Sequence, residues 1–340
     1  MNQGILSVIG QTPMIELTRF FRSSHFKLYA KLEALNPGGS MKDRPALNMI
    51  SSGLKSGRIT SETVVIESSS GNMGVGLAQA CSYFGLKFIC VVDSKTTIQN
   101  IRLLEAYGAE VDLVSRPDPS TGEYLQERLN RVKKLLATVP NSYWPNQYAN
   151  PDNPAAHRQT MHEIFSAFDD QVYCVVCATS TCGTLRGCAE YIREHGLDTR
   201  LIAVDAVGSV IFGSPVAKRL VSGHGSAIAP PLFQAEMADQ FVLVDDLDCV
   251  IGCRRLASTE AILAGGSSGA IMMAIDRLGE TIPKGAICVA ILADRGERYL
   301  DTIFSDPWVT EHFGDVSHLW KRPATARQPA ENEELAKAAS

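Results

Sequence analysis

The stretch Thr63-Val-Val-Ile-Glu-Ser-Ser-Ser-Gly-Asn-Met-Gly74 is an apolar run that ends in a Ser/Gly-rich turn. Residues 63–66 read as a strand, and the apolar spacing from Asn72 to Phe84 reads as a helix. Strand, glycine-containing turn and helix are the opening of a βαβ unit. The pattern repeats outward, with strands over 87–92 and 109–114 and helices over 96–107 and 122–137. Further strands are expected near 172–177, 201–204, 241–244 and 287–292, with helices between them. Such alternation predicts an α/β fold with mostly parallel, open twisted sheets. The Pro- and Asn-rich segment 143–154 is expected to separate two halves. Residues 321–340 are polar and aperiodic, and a frayed or disordered tail is expected there.

Composition narrows the function classes. The chain has 340 residues, 45% hydrophobic and 20% charged, which suits a sizeable core and excludes wholesale disorder. A net charge of −5 argues against nucleic acid or an anionic membrane as partner. No apolar run is long enough to span a bilayer, and the start, Met1-Asn2-Gln3-Gly4, shows no secretory pattern, so a cytoplasmic protein is expected. Nine cysteines, an odd number, fit a reducing compartment better than a disulfide framework. Cys174 and Cys177 form a CxxC, but strand alternation sends the two thiols to opposite faces. They read as small buried hydrophobes, as do Cys249 and Cys253 on a helix. His157, His162 and His224 lack ligand spacing, so no metal is expected.

Three turns read as strand-to-helix openings: Ser68-Ser-Ser-Gly-Asn-Met-Gly74, Ser180-Thr-Cys-Gly-Thr184 and Gly265-Gly-Ser-Ser-Gly269. Free N–H groups and the helix dipole favour anions at such places, and open α/β sheets bind ligands at the C-terminal ends of their strands. None of the turns matches the P-loop. A fourth stretch, Asn36-Pro-Gly-Gly-Ser-Met-Lys-Asp-Arg-Pro45, offers Ser40 as an N-cap and a helix with Lys42 in its first turn. The positive end of a helix lowers a lysine pKa there, and the neutral amine is the form that makes a Schiff base.

Together these strings resemble the cysteine synthase branch of the fold type II pyridoxal-phosphate enzymes, over about residues 4–310. Gly10-Gln-Thr-Pro13 resembles that family's opening, and the stretch from Asn36 to Arg44 its lysine motif. Glu67-Ser-Ser-Ser-Gly-Asn-Met-Gly74 resembles its asparagine loop, and Asp294-Arg-Gly-Glu-Arg-Tyr299 its closing motif. The resemblance implies two open twisted-sheet domains with pyridoxal phosphate in the cleft, and a homodimer. Residues 1–40 and 146–320 would form the larger, cofactor-phosphate-binding domain, and 41–145 the smaller, mobile one. Lys42 would carry the cofactor and act as the base at Cα. Asn72 would bond the ring hydroxyl and Ser267 would face the ring nitrogen. Ser180, Thr181, Cys182, Gly183 and Thr184 would cradle the phosphate. Backbone N–H groups of Ser68, Ser69, Ser70, Asn72 and Met73, helped by Gln147, would hold the substrate carboxylate. A serine beside the ring nitrogen does not force its protonation, which suits replacement at Cβ over transamination.

Departures from the common pattern point within the family. The phosphate loop reads Ser180-Thr-Cys-Gly-Thr184 where familiar cysteine synthases have Gly-Thr-Gly-Gly-Thr, and the lost glycines are expected to put side chains at the rim of the site. Thr160-Met-His-Glu-Ile164 likewise replaces Thr-Gly-Pro-Glu-Ile. The lysine motif, Tyr143-Trp-Pro-Asn-Gln-Tyr-Ala-Asn150, Gly208-Ser-Val-Ile-Phe-Gly213 and Ala264-Gly-Gly-Ser267 resemble instead the family's glutamate-using synthases. Those join O-phospho-L-serine to L-glutamate ahead of 2,3-diaminopropionate and siderophore synthesis. That resemblance implies Arg128, Tyr148 and Ser180 as the residues that recognise phosphoserine. Read alone, Arg128 shares a helix with Glu123, Glu127 and Arg131 and suits a solvated face, Tyr148 suits packing, and Ser180 suits a cofactor-phosphate donor. The rivals are a phosphoserine- or acetylserine-dependent cysteine synthase, a serine or threonine dehydratase, and an inactive binding protein. Lys42 and Asn72 stand against the last. No cation in the sequence can be assigned to the side-chain carboxylate of glutamate.

Overall fold

The computed structural model describes residues 4–21, 24–119 and 122–320. The expected tail over 321–340 lies outside the described residues. In chain order the strands are β1 (Met14–Glu16), β2 (Lys27–Leu32), β3 (Val64–Ser68), β4 (Lys87–Asp93), β5 (Glu110–Val114), β6 (Ser142–Tyr143), β7 (Cys174–Ala178), β8 (Arg200–Ala206), β9 (Gln240–Val244) and β10 (Ile287–Leu292). The α-helices are α1 (Asp43–Lys55), α2 (Asn72–Phe84), α3 (Ile98–Ala106), α4 (Leu125–Thr138), α5 (Asp152–Ser166), α6 (Gly183–His195), α7 (Asp246–Glu260), α8 (Gly266–Leu278) and α9 (Asp306–Phe313). None of the described helices is long and apolar enough to cross a membrane.

The strands form a six-stranded sheet, β1-β2-β10-β7-β8-β9, and a four-stranded sheet, β5-β4-β3-β6. Among the described strands, only the β1–β2 pairing is antiparallel. In the small sheet the chain moves outward from β3 through β4 to β5, then returns to place β6 on the other side of β3. In the large sheet it runs β7, β8, β9 and returns to place β10 on the other side of β7. Those reversals open crevices at the carboxyl ends of β3, β7 and β10, where doubly wound sheets hold ligands. The 69–72 turn, the 180–184 loop and Asp294 all follow those three strands.

The central strands are buried on both faces and so read as continuous apolar runs. In β10, Cys288, Ala290 and Leu292 enter one core cluster and Val289 and Ile291 another. Cys174 and Cys177 divide between the same two clusters, as the alternation of β7 requires. Cys174 Sγ lies 3.0 Å from Cys288 Sγ on the neighbouring strand.

The structure departs from the sequence reading at several elements. β1 and β6 are three and two residues long, too short to show a period. β2 hides because its Lys31 is buried, paired with Glu163 at 2.6 Å. The Gly265–Gly269 turn follows α7 rather than a strand. Helix α1 begins at Asp43, so Lys42 occupies the N-cap position, and Ser40 Oγ accepts from the Lys42 amide at 3.2 Å.

Candidate active site

A buried carboxylate outside every motif organises the start of α1. Glu33 receives Arg44 Nε at 2.7 Å, Thr12 Oγ1 at 2.7 Å and Asn36 Nδ2 at 2.9 Å. The Gly10–Pro13 string and the lysine motif therefore meet at one residue. The closing motif joins them from the other side. Met41 N donates to Ala293 O at 2.8 Å, Ser40 bridges Asp294, and Arg298 donates to Gly38 O.

Lys42, thus fixed, lines a cavity together with Asn72, the 180–184 loop, Gly223 and Ser267. Three helix N-termini reach that cavity, those of α2 at Asn72, α6 at Gly183 and α8 at Gly266. Their first N–H groups have no intrahelical acceptors, and their dipoles favour an anion. Burial lowers the Lys42 pKa, against the opposing charge of Asp294. The sequence reading gave the helix dipole as the cause of that lowering; burial comes first.

Asn72 Nδ2 donates to Asp294 Oδ2 at 2.7 Å, and Tyr299 OH donates to the same oxygen at 2.6 Å. Asp294 Oδ1 is buried without a partner among the described residues. Burial pushes this carboxyl up, while Tyr299, Asn72 and the Arg298 and Lys42 charges pull it down. His157, buried behind the 180–184 loop, has Nε2 3.3 Å from Thr184 Oγ1. Burial and the charges of Lys42 and Arg44 push its pKa well below 6.5, so it braces Thr184 as a neutral ring.

The expected rim residues separate. Ser180 sits where the inner cavity meets an outer chamber, and lines both. Cys182 is buried, packed in a small cluster with Ile211 and Leu232, and holds a left-handed conformation at φ 62°. That backbone costs a non-glycine residue on the order of 1–2 kcal/mol.

The asparagine loop is only partly available as an anion cradle. Ser68 N donates to Glu67 Oε1 at 2.8 Å and Ser69 N to Val91 O at 3.0 Å, so these two amides are engaged in the fold. The amides of Asn72 and Met73, at the start of α2, have no intrahelical acceptor. Gln147 Nε2 donates to Ser68 O at 3.0 Å and its backbone N to Glu67 Oε2 at 3.0 Å, which fastens the loop from behind. Burial pushes the Glu67 carboxyl up to about 7, against hydrogen bonds from Trp144, Ser68 and Gln147.

The outer chamber, about 300 Å³, brings Ser70, Arg128, Tyr148 and Ser180 together. That volume falls at the lower end of small-molecule sites, about 300–1,000 Å³. Arg128 faces inward rather than along a solvated helix face. Its Nη1 donates to Ser70 Oγ at 2.6 Å and its Nε lies 3.1 Å from Asp93 Oδ2. Asp93, Arg219, His224, Glu33 and Asp294 take part in this architecture without having been singled out as site residues in the sequence. Asp294 lies inside a quoted motif; Glu33 opens a three-residue 3-10 turn after β2, Asp93 ends β4, and Arg219 and His224 sit in aperiodic loops, where spacing gives no signal.

A buried amine whose pKa is lowered, three converging helix starts and a phosphate loop without a cation fit pyridoxal phosphate. A family model described as pyridoxal-phosphate dependent enzyme matches residues 5–294. The chain belongs to that family. Its cofactor is pyridoxal phosphate, and the Lys42 amine and the α6 N-terminus face one cavity. The chain is 44% identical over 308 residues to N-(2-amino-2-carboxyethyl)-L-glutamate synthase of Ralstonia nicotianae, covering 90% of this chain and 91% of that one. Among solved structures it resembles a hydrogen sulfide-producing enzyme of Fusobacterium nucleatum, with TM-score 0.83, 32% identity and coverage of 88% and 100%. It also resembles the O-acetylserine dependent cystathionine beta-synthase of Helicobacter pylori, with TM-score 0.81, 33% identity and coverage of 88% and 97%.

Proposed function

We propose that the protein catalyses a β-replacement joining O-phospho-L-serine to L-glutamate, with N-(2-amino-2-carboxyethyl)-L-glutamate and phosphate as products. The observation that carries this reading is the 44% identity, over 90% of the chain, to the Ralstonia synthase. The outer chamber with its inward-facing guanidinium supports it.

When bound, pyridoxal phosphate supplies the electron sink that stabilises negative charge at the substrate Cα. Lys42 would carry it, and the Lys42 amine, its pKa lowered by burial, would take the Cα proton and later return it. Asn72, held by Asp294, would orient the cofactor ring, and Ser267, on the same cavity, would serve its nitrogen. The start of α6 and the hydroxyls of Ser180, Thr181 and Thr184 would hold the cofactor phosphate, with the Cys182 and Gly183 backbone completing the turn. The amides at the start of α2 and Ser70 receive the phosphoserine carboxylate, and Gln147 keeps their loop in place. Arg128, Tyr148 and Ser180 meet the phosphate of the substrate, since a guanidinium pairs bidentately with a dianion. That phosphate departs with the Cβ–O electron pair, and the neutral glutamate amine forms the C–N bond and gives up one proton. The same reading places the product ahead of 2,3-diaminopropionate and siderophore synthesis, and the enzyme in the cytoplasm as a homodimer.

Mass analysis of the product formed from phosphoserine with a panel of nucleophiles tests this reading. An adduct with L-glutamate, formed far faster than with D-glutamate, L-aspartate or L-glutamine, is expected. The likeness to sulfur-handling structures favours one rival, sulfide as the nucleophile. Cysteine as the dominant product would replace the proposal with that rival.

A further inference from the structure

The second amino acid needs a counter-charge for a carboxylate, and three cations line the outer chamber: Lys95, Arg128 and Arg219. Two are already matched. Lys95 Nζ lies 3.9 Å from Glu123 Oε2, and Arg128 Nε lies 3.1 Å from Asp93 Oδ2. Arg219 makes no ion pair within 4.0 Å among the described residues, and its Nη1 donates only to a backbone carbonyl, His224 O, at 3.3 Å. Its Nε is buried with no hydrogen-bond partner among the described residues. Asp205 is close enough to feel its charge, but that carboxylate accepts from Ala206 N at 2.9 Å and forms no ion pair with the guanidinium.

The backbone keeps room for this unmatched cation. Gly225 has φ +74°, and a Cβ there would run into Arg219 Nη1 and crowd Ala206 and Ser209. Gly225 N is tied to Thr179 O at 2.7 Å, at the end of β7, so the loop that holds the guanidinium is anchored beside the 180–184 loop. His224, between them in sequence, is buried and has its Nδ1 without a partner in the same chamber. A guanidinium with an unpaired buried donor, held open by a glycine and facing the space that adjoins Ser180, is built for a planar anion.

We infer that Arg219 receives a carboxylate of the second amino acid, the one whose amine completes the replacement. The inference rests on the proposed β-replacement and supplies the contact that selects a dicarboxylic amino acid over a small nucleophile. Arg128 and Arg219 then divide the two substrates between them, the first serving the leaving phosphate and the second the incoming carboxylate.

The test compares wild-type holoenzyme with Arg219→Gln and Arg219→Lys. It reads KM for L-glutamate, KM for phosphoserine, and inhibition by glutarate, which keeps both carboxylates but has no amine to react. Loss of a charge-assisted pair should raise the glutamate KM and the glutarate inhibition constant about ten- to a hundredfold in Arg219→Gln. The phosphoserine KM should move by about threefold or less, and Arg219→Lys should lie between, because it keeps charge without the planar fork. If Arg219→Gln does not fold, the Lys variant carries the same comparison. A phosphoserine KM that rises as much as the glutamate KM, or unchanged glutarate inhibition, would overturn the inference. If wild-type enzyme makes cysteine but no glutamate adduct, the proposed function fails by itself. Glutarate inhibition of that cysteine synthesis, lost in Arg219→Gln, would still uphold the carboxylate site, and its absence in the wild type would overturn it.

Discussion

Asn72 and Asp294, 222 residues apart, are joined by a 2.7 Å hydrogen bond from the Asn72 amide to Asp294 Oδ2. The bond ties the start of α2, beside the small sheet, to the end of β10 in the large one. It fixes the Asn72 side chain, with one N–H committed to Asp294, and the proposed function has the rest of the amide meet the cofactor ring. Asp294→Asn should lower kcat/KM by about ten- to a hundredfold, the range for losing a charge-assisted bond. Tyr299→Phe, which removes one donor from the same carboxylate, should cost less, about two- to tenfold. Steady-state kinetics of the two variants check the order; a larger loss in Tyr299→Phe would contradict it.

Lys42 is expected to hold the cofactor. Borohydride reduction of the holoenzyme, followed by peptide mapping, should place the pyridoxyl group on Lys42. Its appearance on another lysine would remove the basis of the mechanism.

Arg128 should discriminate between leaving groups. It gains far more from a phosphate dianion than from a neutral acetyl ester. Arg128→Ala should lower kcat/KM for phosphoserine about ten- to a hundredfold and that for acetylserine much less. Because Arg128 also joins Asp93 and Ser70, a structural role is the competing explanation. Equal losses on both substrates would establish it.

How much of this was legible in the sequence depends on what kind of signal each residue leaves. The parallel sheets were legible because β3, β4, β7 and β10 are apolar on both faces and their helices keep a helical period. β2 was not, since Lys31 reads as polar until Glu163 is seen beside it. The lysine and asparagine-loop motifs and the turns at 180–184 and 265–269 supplied Lys42, Asn72, the phosphate loop and Ser267, which line one cavity. What joins the strings was invisible: Glu33 collects Thr12, Asn36 and Arg44 through contacts that no local spacing encodes. Arg219 lies in an aperiodic loop, and only its unmatched charge and the shape of Gly225 single it out. Arg128 carried a pattern that suited a solvated face, and tertiary packing turned it inward against Asp93.

Asp43 should give the fold a pH-dependent component. Burial pushes its carboxyl from 3.8 up to about 7, against the Gly38 amide and the Arg298 charge. The folded pKa lies above the unfolded one, so the native state binds the extra proton between those values. The stability from this group is full below about pH 4 and declines as pH rises toward about 7, by at most about 1.4 kcal/mol per pH unit for one proton. Asp43→Asn, which resembles the protonated form, should lack that decline. Urea unfolding of both proteins from pH 4 to 8 checks it, and parallel pH profiles would contradict it.

The central claim is that an amino acid, and not sulfide, completes the cycle. The most direct measurement is a competition in which holoenzyme receives phosphoserine with equal concentrations of L-glutamate and sulfide, and the two products are quantified by mass spectrometry. The account predicts N-(2-amino-2-carboxyethyl)-L-glutamate in large excess over cysteine, with one phosphate released per adduct. Cysteine in excess, with phosphate release unaffected by L-glutamate, would contradict it.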